Sequence, residues 1–315
     1  MGIICFPAWH FNYFCVLLWP MKSELSILIP VYNTVCTGLV ASLCRQADAV
    51  DGLCYEVIVV DDDSPDRSLT ESNRQGLDSF PHCRYIVREK NVGSAATRNY
   101  LGSLARYQWL LFIDCDVSVP SCLISRYLEC SDSDVVNGGI AVGDDDKCLW
   151  RGNLRYLYEK SSESGHVASL RQQRRYHEFR STNFVISRDA FSVCQFDERF
   201  KHSGYEDVMF GKSMKEHGLS VTHIDNPVVM TDFEPNSSYV AKIERSLRTL
   251  HEFRSDLSGY SRILTFSACI HLKPVLWSIR VWHWLFGRLE RSNLCGSRPS
   301  LRVFDLYRIG YYLSL

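Results

Sequence analysis

The chain has 315 residues, 35 Lys plus Arg against 36 Asp plus Glu, a formal net charge of −1 and 46% apolar residues. These proportions exclude a disordered chain, a collagen-like repeat and a nucleic-acid binder held by bulk charge. There is no series of long apolar runs, which excludes a polytopic membrane protein, and the length suits one large domain or two small ones.

The near-zero balance hides a split. Residues 262–315 hold eight basic and two acidic residues, so this stretch is net +6 and the remainder net −7. Thirteen cysteines, none at C-x-x-C spacing, read as reduced, buried thiols of a cytosolic protein.

Residues 1–20 are strongly apolar, with no Lys or Arg ahead of Lys22 and with Pro7, His10 and Asn12 interrupting the run. The favoured reading is an over-extended start, the protein proper opening at Met21. A weak membrane anchor and a packed N-terminal arm are the alternatives. Residues 25–31 are predicted as a buried strand, and a helical pattern follows at 39–45. A second buried strand over 55–60 ends in Asp61-Asp62-Asp63-Ser64-Pro65-Asp66. A third over 84–87 ends near Asn91-Val92-Gly93. A helix is expected over 94–107, and a fourth strand over 109–113 ends in Asp114-Cys115-Asp116. This alternation predicts an α/β fold with a mostly parallel, Rossmann-like sheet flanked by helices. Every strand ends in polar residues at its carboxyl side, the edge where such sheets bind ligands.

After Pro120 the alternation is less regular. A turn is expected at Asp144-Asp145-Asp146, a helix and a mobile loop over 151–180, short strands at 184–186 and 221–224, and an amphipathic helix over 236–254. The predicted organisation is a catalytic domain over 21–255, with halves of about 24–118 and 119–255, and a basic, aromatic tail over 256–315. Within the tail, residues 275–289 are apolar on more than one face and carry Trp277, Trp282 and Trp284 beside Arg280 and Arg288. That pattern suits a helix lying against anionic lipid, or packing on the catalytic domain.

In an extended segment, Asp114 and Asp116 share one face. Two carboxylates there repel unless a cation sits between them, and hard oxygen ligands suit Mg²⁺ or Mn²⁺. The acidic cluster at 61–63 ends a neighbouring strand, where one carboxylate could accept hydrogen bonds from a base or ribose. Arg98, on the helix after Gly93-Ser94, suits an anion. Glu206 and Asp207 open a helix-like stretch, either as capping acids or as a general base.

In order along the chain stand Ser26-Ile-Leu-Ile-Pro-Val-Tyr-Asn33, Val57-Ile-Val-Val-Asp-Asp-Asp-Ser64, Asn91-Val-Gly93 with Ala96-Thr-Arg-Asn99, and Phe112-Ile-Asp-Cys-Asp116. Together they resemble the nucleotide-sugar half of a family 2 glycosyltransferase of the GT-A fold. Phe196-Asp-Glu-Arg-Phe200 followed by Gly204-Tyr-Glu-Asp207 resembles the acceptor half, including a galactosyltransferase-like C-terminal signature. The resemblance covers about residues 24–250.

It implies that Pro30, Tyr32 and Asn33 meet the nucleotide, that Asp62 binds uracil, and that Asn91 and Gly93 line the base and ribose loop. It further implies that Arg98 faces the diphosphate, and that Asp114, also a nucleotide contact, holds Mn²⁺ or Mg²⁺ with Asp116. Asp207 is the implied base, with Glu206 second. Relatives often complete the metal site with a His after an Asn-Pro. Here Asn226-Pro-Val-Val-Met230-Thr-Asp232 puts a thioether at that place, a poor ligand for these ions, and Asp232 substitutes only if the loop shifts by two residues. His223 is expected to cap or pack on its strand. Arg171, Arg174 and Arg175 are read as a solvated face or as a lid contacting phosphate, and Asn183 as an acceptor contact.

The implied activity is inverting transfer from a nucleotide-diphosphate sugar, UDP-linked, to a glycan or lipid-linked acceptor in surface polysaccharide synthesis. The implied setting is peripheral, at the cytoplasmic face of a bacterial inner membrane, with no nucleic acid as partner. The alternative is a catalytically impaired nucleotide-sugar-binding module of the same fold. A dehydrogenase is disfavoured because no G-x-G-x-x-G follows the first strand.

Overall fold

Strands apolar on both faces need helices on both sides, and that requirement organises the molecule. The structure, a computed structural model, describes residues 22–130, 133–143, 150–201, 204–269 and 272–315. The expected N-terminal extension over 1–20 and the turn at Asp144-Asp145-Asp146 lie outside the described residues. The first half alternates β1 (Glu24–Val31), α1 (Thr37–Asp48), β2 (Cys54–Asp61), α2 (Arg67–Leu77), β3 (Cys83–Val87), α3 (Ser94–Leu104) and β4 (Trp109–Ile113). Then follow α4 (Leu123–Leu128), β5 (Val135–Asn137), β6 (Ile140–Val142), α5 (Leu154–Ser162), α6 (Ala168–Gln173), β7 (Asn183–Ser187) and α7 (Arg188–Val193). The chain continues through α8 (Glu206–Glu216), β8 (Val221–His223), β9 (Val228–Met230) and α9 (Asn236–Glu252), and closes with α10 (Arg262–Ser267), α11 (Lys273–Cys295) and α12 (Leu301–Ser314).

Seven strands form one sheet in the order β3-β2-β1-β4-β7-β5-β8, with β7 antiparallel to both its neighbours and the other pairs parallel; β6 and β9 form a small parallel pair beside it. The expected GT-A-like architecture is therefore present. Alternate residues of each central strand feed opposite cores. Ile27, Ile29, Val57, Val59 and Leu111 pack under α1 and α4. Leu28, Ile58, Val60, Leu110 and Phe112 pack under α3 and α7. Each such side chain, fully buried, contributes roughly 1.5–3 kcal/mol.

Register sets the functional edge. Val31 pairs with Asp61, and Leu28 with Phe112, so the acids that follow β2 and β4 emerge at one level on either side of Pro30. The tail packs on this body. Leu294 of α11 and Phe304 and Tyr307 of α12 join Leu154, Tyr239 and Val240 in a separate apolar cluster. Packing uses only one side of α11, so Trp277 and Trp284 remain 68% and 80% exposed.

Candidate active site

The carboxyl ends of β1, β2 and β4 open into a cleft of about 850 Å³, closed on the far side by α5, the start of α8 and α9. The three consecutive acids that begin with the last residue of β2 face three ways. Asp61 turns inward, accepting from Tyr85 Oη at 2.6 Å and Ser64 N–H at 2.7 Å. Asp63 turns outward in a left-handed conformation (φ 58°) and pairs with Arg67 at 3.0 Å. Asp62 alone lines the cleft, where its carboxylate accepts from Gly93 N–H at 2.8 Å and Val92 N–H at 3.1 Å. It therefore fixes the 91–93 loop as well as facing the cavity. Gly93, at φ 94°, is pressed so close to the Lys201 carbonyl that a Cβ would stand 2.5 Å from it.

Arg98 sits at the centre. The guanidinium is buried, with Nη2 2.6 Å from Asp114 Oδ1 and Nη1 3.9 Å from Glu206 Oε1. Its Nε and Nη1 have no hydrogen-bond partner among the described residues. Burial works against its charge, but Asp114 first and Glu206 second outweigh that and hold its pKa above the ordinary value. The neighbouring Asn99 joins the two motif-bearing halves. Its side-chain amide donates to the Phe196 carbonyl and accepts from the Phe196 N–H, both at 2.9 Å.

Asp114 and Asp116 both line the cleft. Burial, and then Asp114 beside it, push the Asp116 carboxyl up; Arg155 and Lys242 oppose the rise. A carboxylate pair of this kind, one member spent on Arg98, fits a divalent ion that takes one or two protein oxygens and completes its shell with phosphate and water. Among the described residues no three His, Cys, Asp or Glu side chains converge as a ready-made metal cage.

Glu206 and Asp207 differ sharply. Tyr205, left-handed at φ 69°, turns the chain into α8. Both Glu206 oxygens are engaged, Oε2 by Gly204 N–H at 2.6 Å and Oε1 by Ser94 Oγ at 3.1 Å. The Asp207 carboxylate accepts from Val208 N–H at 2.8 Å and faces the cleft. Burial, and then the adjacent Glu206, push its pKa up to about 6.

Of the other expected site residues, Pro30, Tyr32 and Asn91 line the cleft. Asn33 does not: it is left-handed at φ 53°, and its N–H donates to Ser64 Oγ at 2.7 Å. Asp232 also lies outside the cleft wall, exposed, and accepts from the Phe233 N–H at 2.9 Å. A two-residue slip to bring it inward is opposed by Phe233, which is locked against Trp150 and Tyr156. Met230 lines the cleft instead.

Asn183 does not line the cleft. It is fully buried, accepting from Tyr127 Oη at 2.8 Å and donating to the Asn226 carbonyl at 2.8 Å. Arg171 is neither lid nor solvated face. It is buried and donates to the carbonyls of His166 and Ile224 at 2.8 Å and Gly138 at 3.2 Å. His223 packs on its strand as expected, its ring nitrogens 2.7 Å from Arg171 Nη1 and 2.8 Å from the Arg175 carbonyl, with its pKa lowered by burial to about 4.

Sequence reasoning missed the far wall: Arg155, Arg180, Lys201, Tyr239, Lys242 and Arg245. The available signal was the spacing of Tyr239, Lys242 and Arg245 on one helical face. A solvated amphipathic helix gives the same pattern.

An open α/β sheet whose strand-end acids face a cavity closed by a second, helical half is the arrangement of a GT-A-like nucleotide-sugar enzyme. The chain belongs to glycosyl transferase family 2, whose profile matches residues 26–194. It is 27% identical over 232 residues to the chondroitin synthase of Escherichia coli, covering 62% of this chain and 32% of that one. It is 35% identical over 123 residues to the dolichol-phosphate mannosyltransferase of Pyrococcus furiosus, covering 38% of this chain and 32% of that one. The matched stretch thus spans about a third of the length of these relatives. Among solved structures, a mannosyltransferase from Pyrobaculum calidifontis in complex with GDP-Man and Mn²⁺ shares the fold, with a TM-score of 0.56, 14% identity, and coverage of 92% of this chain and 84% of that one.

Proposed function

We propose that this chain transfers a sugar from a UDP-linked donor to a hydroxyl of a glycan or lipid-linked acceptor in surface polysaccharide synthesis, with inversion at the anomeric carbon. One observation carries the reading: Asp62, Arg98, the Asp114–Asp116 pair and the raised carboxyl of Asp207 converge on a single cleft. The uracil and ribose lie by Tyr32, Asp62 and Asn91. Arg98, a cation on the cleft wall, stands beside the diphosphate. Asp116, with Asp114, would hold Mn²⁺ or Mg²⁺, which supplies positive charge beside the departing nucleoside diphosphate. Asp207 takes the proton from the acceptor hydroxyl. Glu206, committed to Gly204 and Ser94, holds the turn that presents Asp207.

The test is nucleotide release from a panel of nucleotide sugars, with and without Mn²⁺. UDP release that disappears in Asp116→Ala and persists in Asp232→Ala supports the assignment. We expect a loss of at least about a hundredfold for the first variant, from several kcal/mol of lost charge stabilisation, and a change within about twofold for the second. Dependence on another nucleotide would overturn the role of Asp62. Nucleotide binding without turnover of any donor would favour the impaired binding module, to which Met230 in the cleft wall points.

The same reading places the protein peripherally at the cytoplasmic face of the membrane. Among the described residues no helix is long and apolar enough to cross a membrane. The outward side of α11 combines Trp277, Trp284 and Leu289, all more than half exposed, with Arg280 and Arg288. Trp rings and basic side chains suit an anionic interface. Truncating the tail would strip Leu294, Phe304 and Tyr307 from their cluster, so point changes are the cleaner experiment. Trp277→Ser with Trp284→Ser is expected to abolish flotation with phosphatidylglycerol vesicles while leaving the melting temperature unchanged.

A further inference from the structure

α5 and α9 meet at their N-termini, and the chain is stitched there from both sides. Asn153 caps α5 by accepting from the Tyr156 N–H at 2.9 Å, and its Nδ2 donates to the Glu234 carbonyl at 2.9 Å. Asn236, which opens α9, accepts from the Leu154 N–H at 2.7 Å and donates to the Gly152 carbonyl at 2.8 Å. Glu234 is thereby fixed between the two helices. Its carboxylate pairs with Arg155 and lies 3.7 Å from Lys242. Burial would raise that carboxyl, but Arg155 and then Lys242 hold it below its ordinary value.

Arg155 and Lys242 line the cleft, and Glu234 does not. One acid therefore stands behind two cations, which leaves a surplus positive charge on the cavity side. Asp114 and Asp116 line the same cleft as these two cations. Arg180, also on this wall, lies 3.4 Å from Glu159.

We propose that Arg155 and Lys242, held by Glu234, bind the β-phosphate of the donor and meet the charge that arrives there on departure. The inference rests on the nucleotide-sugar reading above. In the step it serves, the acceptor oxygen bonds to the anomeric carbon and its proton passes to Asp207. The bond from that carbon to the β-phosphate oxygen breaks, and its electron pair stays on the phosphate oxygen. A guanidinium and an ammonium on the cleft wall beside this oxygen would stabilise the arriving charge. Met230, on the same cavity, offers no such stabilisation.

The experiment is equilibrium binding of UDP and of UMP, which lacks the β-phosphate, to the full chain in Mn²⁺ and in EDTA. Arg155→Gln and Lys242→Gln are each expected to weaken UDP by at least about tenfold, leave UMP within about twofold, and remove the preference for UDP that persists in EDTA. Lys242→Arg is expected to restore it. Lys242 has a partly exposed side chain, so its variant remains informative if Arg155→Gln fails to fold. Equal losses for UDP and UMP, no change in either, or a change confined to the KM of the acceptor would overturn the proposal; the last would reassign the two cations to an anionic acceptor. A folded wild-type protein that binds neither nucleotide would overturn the donor reading itself, and this inference with it.

Discussion

Replacing Asp207 with asparagine lowers kcat/KM by about two to four orders of magnitude and at the same time raises the melting temperature at neutral pH. Both outcomes come from one cause. Burial and Glu206 hold the Asp207 carboxyl near 6 in the folded chain, whereas in the unfolded chain it titrates near 4. A carboxyl with a raised folded pKa contributes stability that is complete below the unfolded value and is lost as pH rises through the folded one. Above pH 6 the native state therefore carries an ionised group it disfavours. The cost is at most about 3 kcal/mol and is reduced by the partial exposure of the group. Asparagine removes that cost and the proton acceptor together.

The stabilisation of the variant should grow between about pH 4 and 6 and level off above. The wild-type kcat/KM should fall tenfold per unit as pH drops below about 6. Thermal melts across this range, paired with initial rates of nucleotide release, check both curves. A variant that loses activity without the pH-dependent gain in stability would show that Asp207 is not the strained, ionised group of this site.

The strand-end acids were legible in the sequence because a buried apolar run, residues 57–60 in β2 and Trp109–Ile113 in β4, leaves little doubt where a strand stops. The period of two does not account for the pair, because β4 ends at Ile113 and a turn at Cys115 and Asp116 brings both carboxylates to the cleft. The orientation within Asp61-Asp62-Asp63 was not legible. It depends on Tyr85 and Arg67, which lie outside the run, and on a left-handed residue that no pattern marks. Arg171 and Asn183 misled for a related reason. A basic residue in a polar stretch reads as solvated or as a phosphate contact, and an Asn at a strand start reads as a ligand contact, yet these two are interior cross-links that donate to backbone carbonyls, and carbonyls carry no sequence signature. The cationic wall failed differently. Its residues were visible, but a cation facing a cavity and one facing water occupy the same helical positions.

Replacing Arg98 with methionine is expected to damage the site more broadly than loss of either neighbouring acid. Arg98 is the buried cation between the Asp114 end of the cleft and the Glu206–Asp207 end. Without it, Asp114, Glu206 and Asp207 face one another in a cavity that resists charge, and breaking a buried pair of this kind costs about 3–5 kcal/mol. Arg98 is also among the groups that hold the Asp207 carboxyl down. Its removal must therefore move the acid limb of kcat/KM to higher pH, in addition to lowering the plateau. Arg98→Lys offers one point charge where the guanidinium spans from 2.6 Å at Asp114 to 3.9 Å at Glu206, so it should recover stability better than rate. Mn²⁺ provides the internal control. If Asp114 and Asp116 take the ion, freeing Asp114 from its ion pair increases Mn²⁺ affinity in Arg98→Met, and added Mn²⁺ restores part of the lost melting temperature while the acid limb stays displaced. An acid limb that stays at the wild-type pH in Arg98→Met would separate Arg98 from Asp207 and break the electrostatic link between the two ends of the cleft.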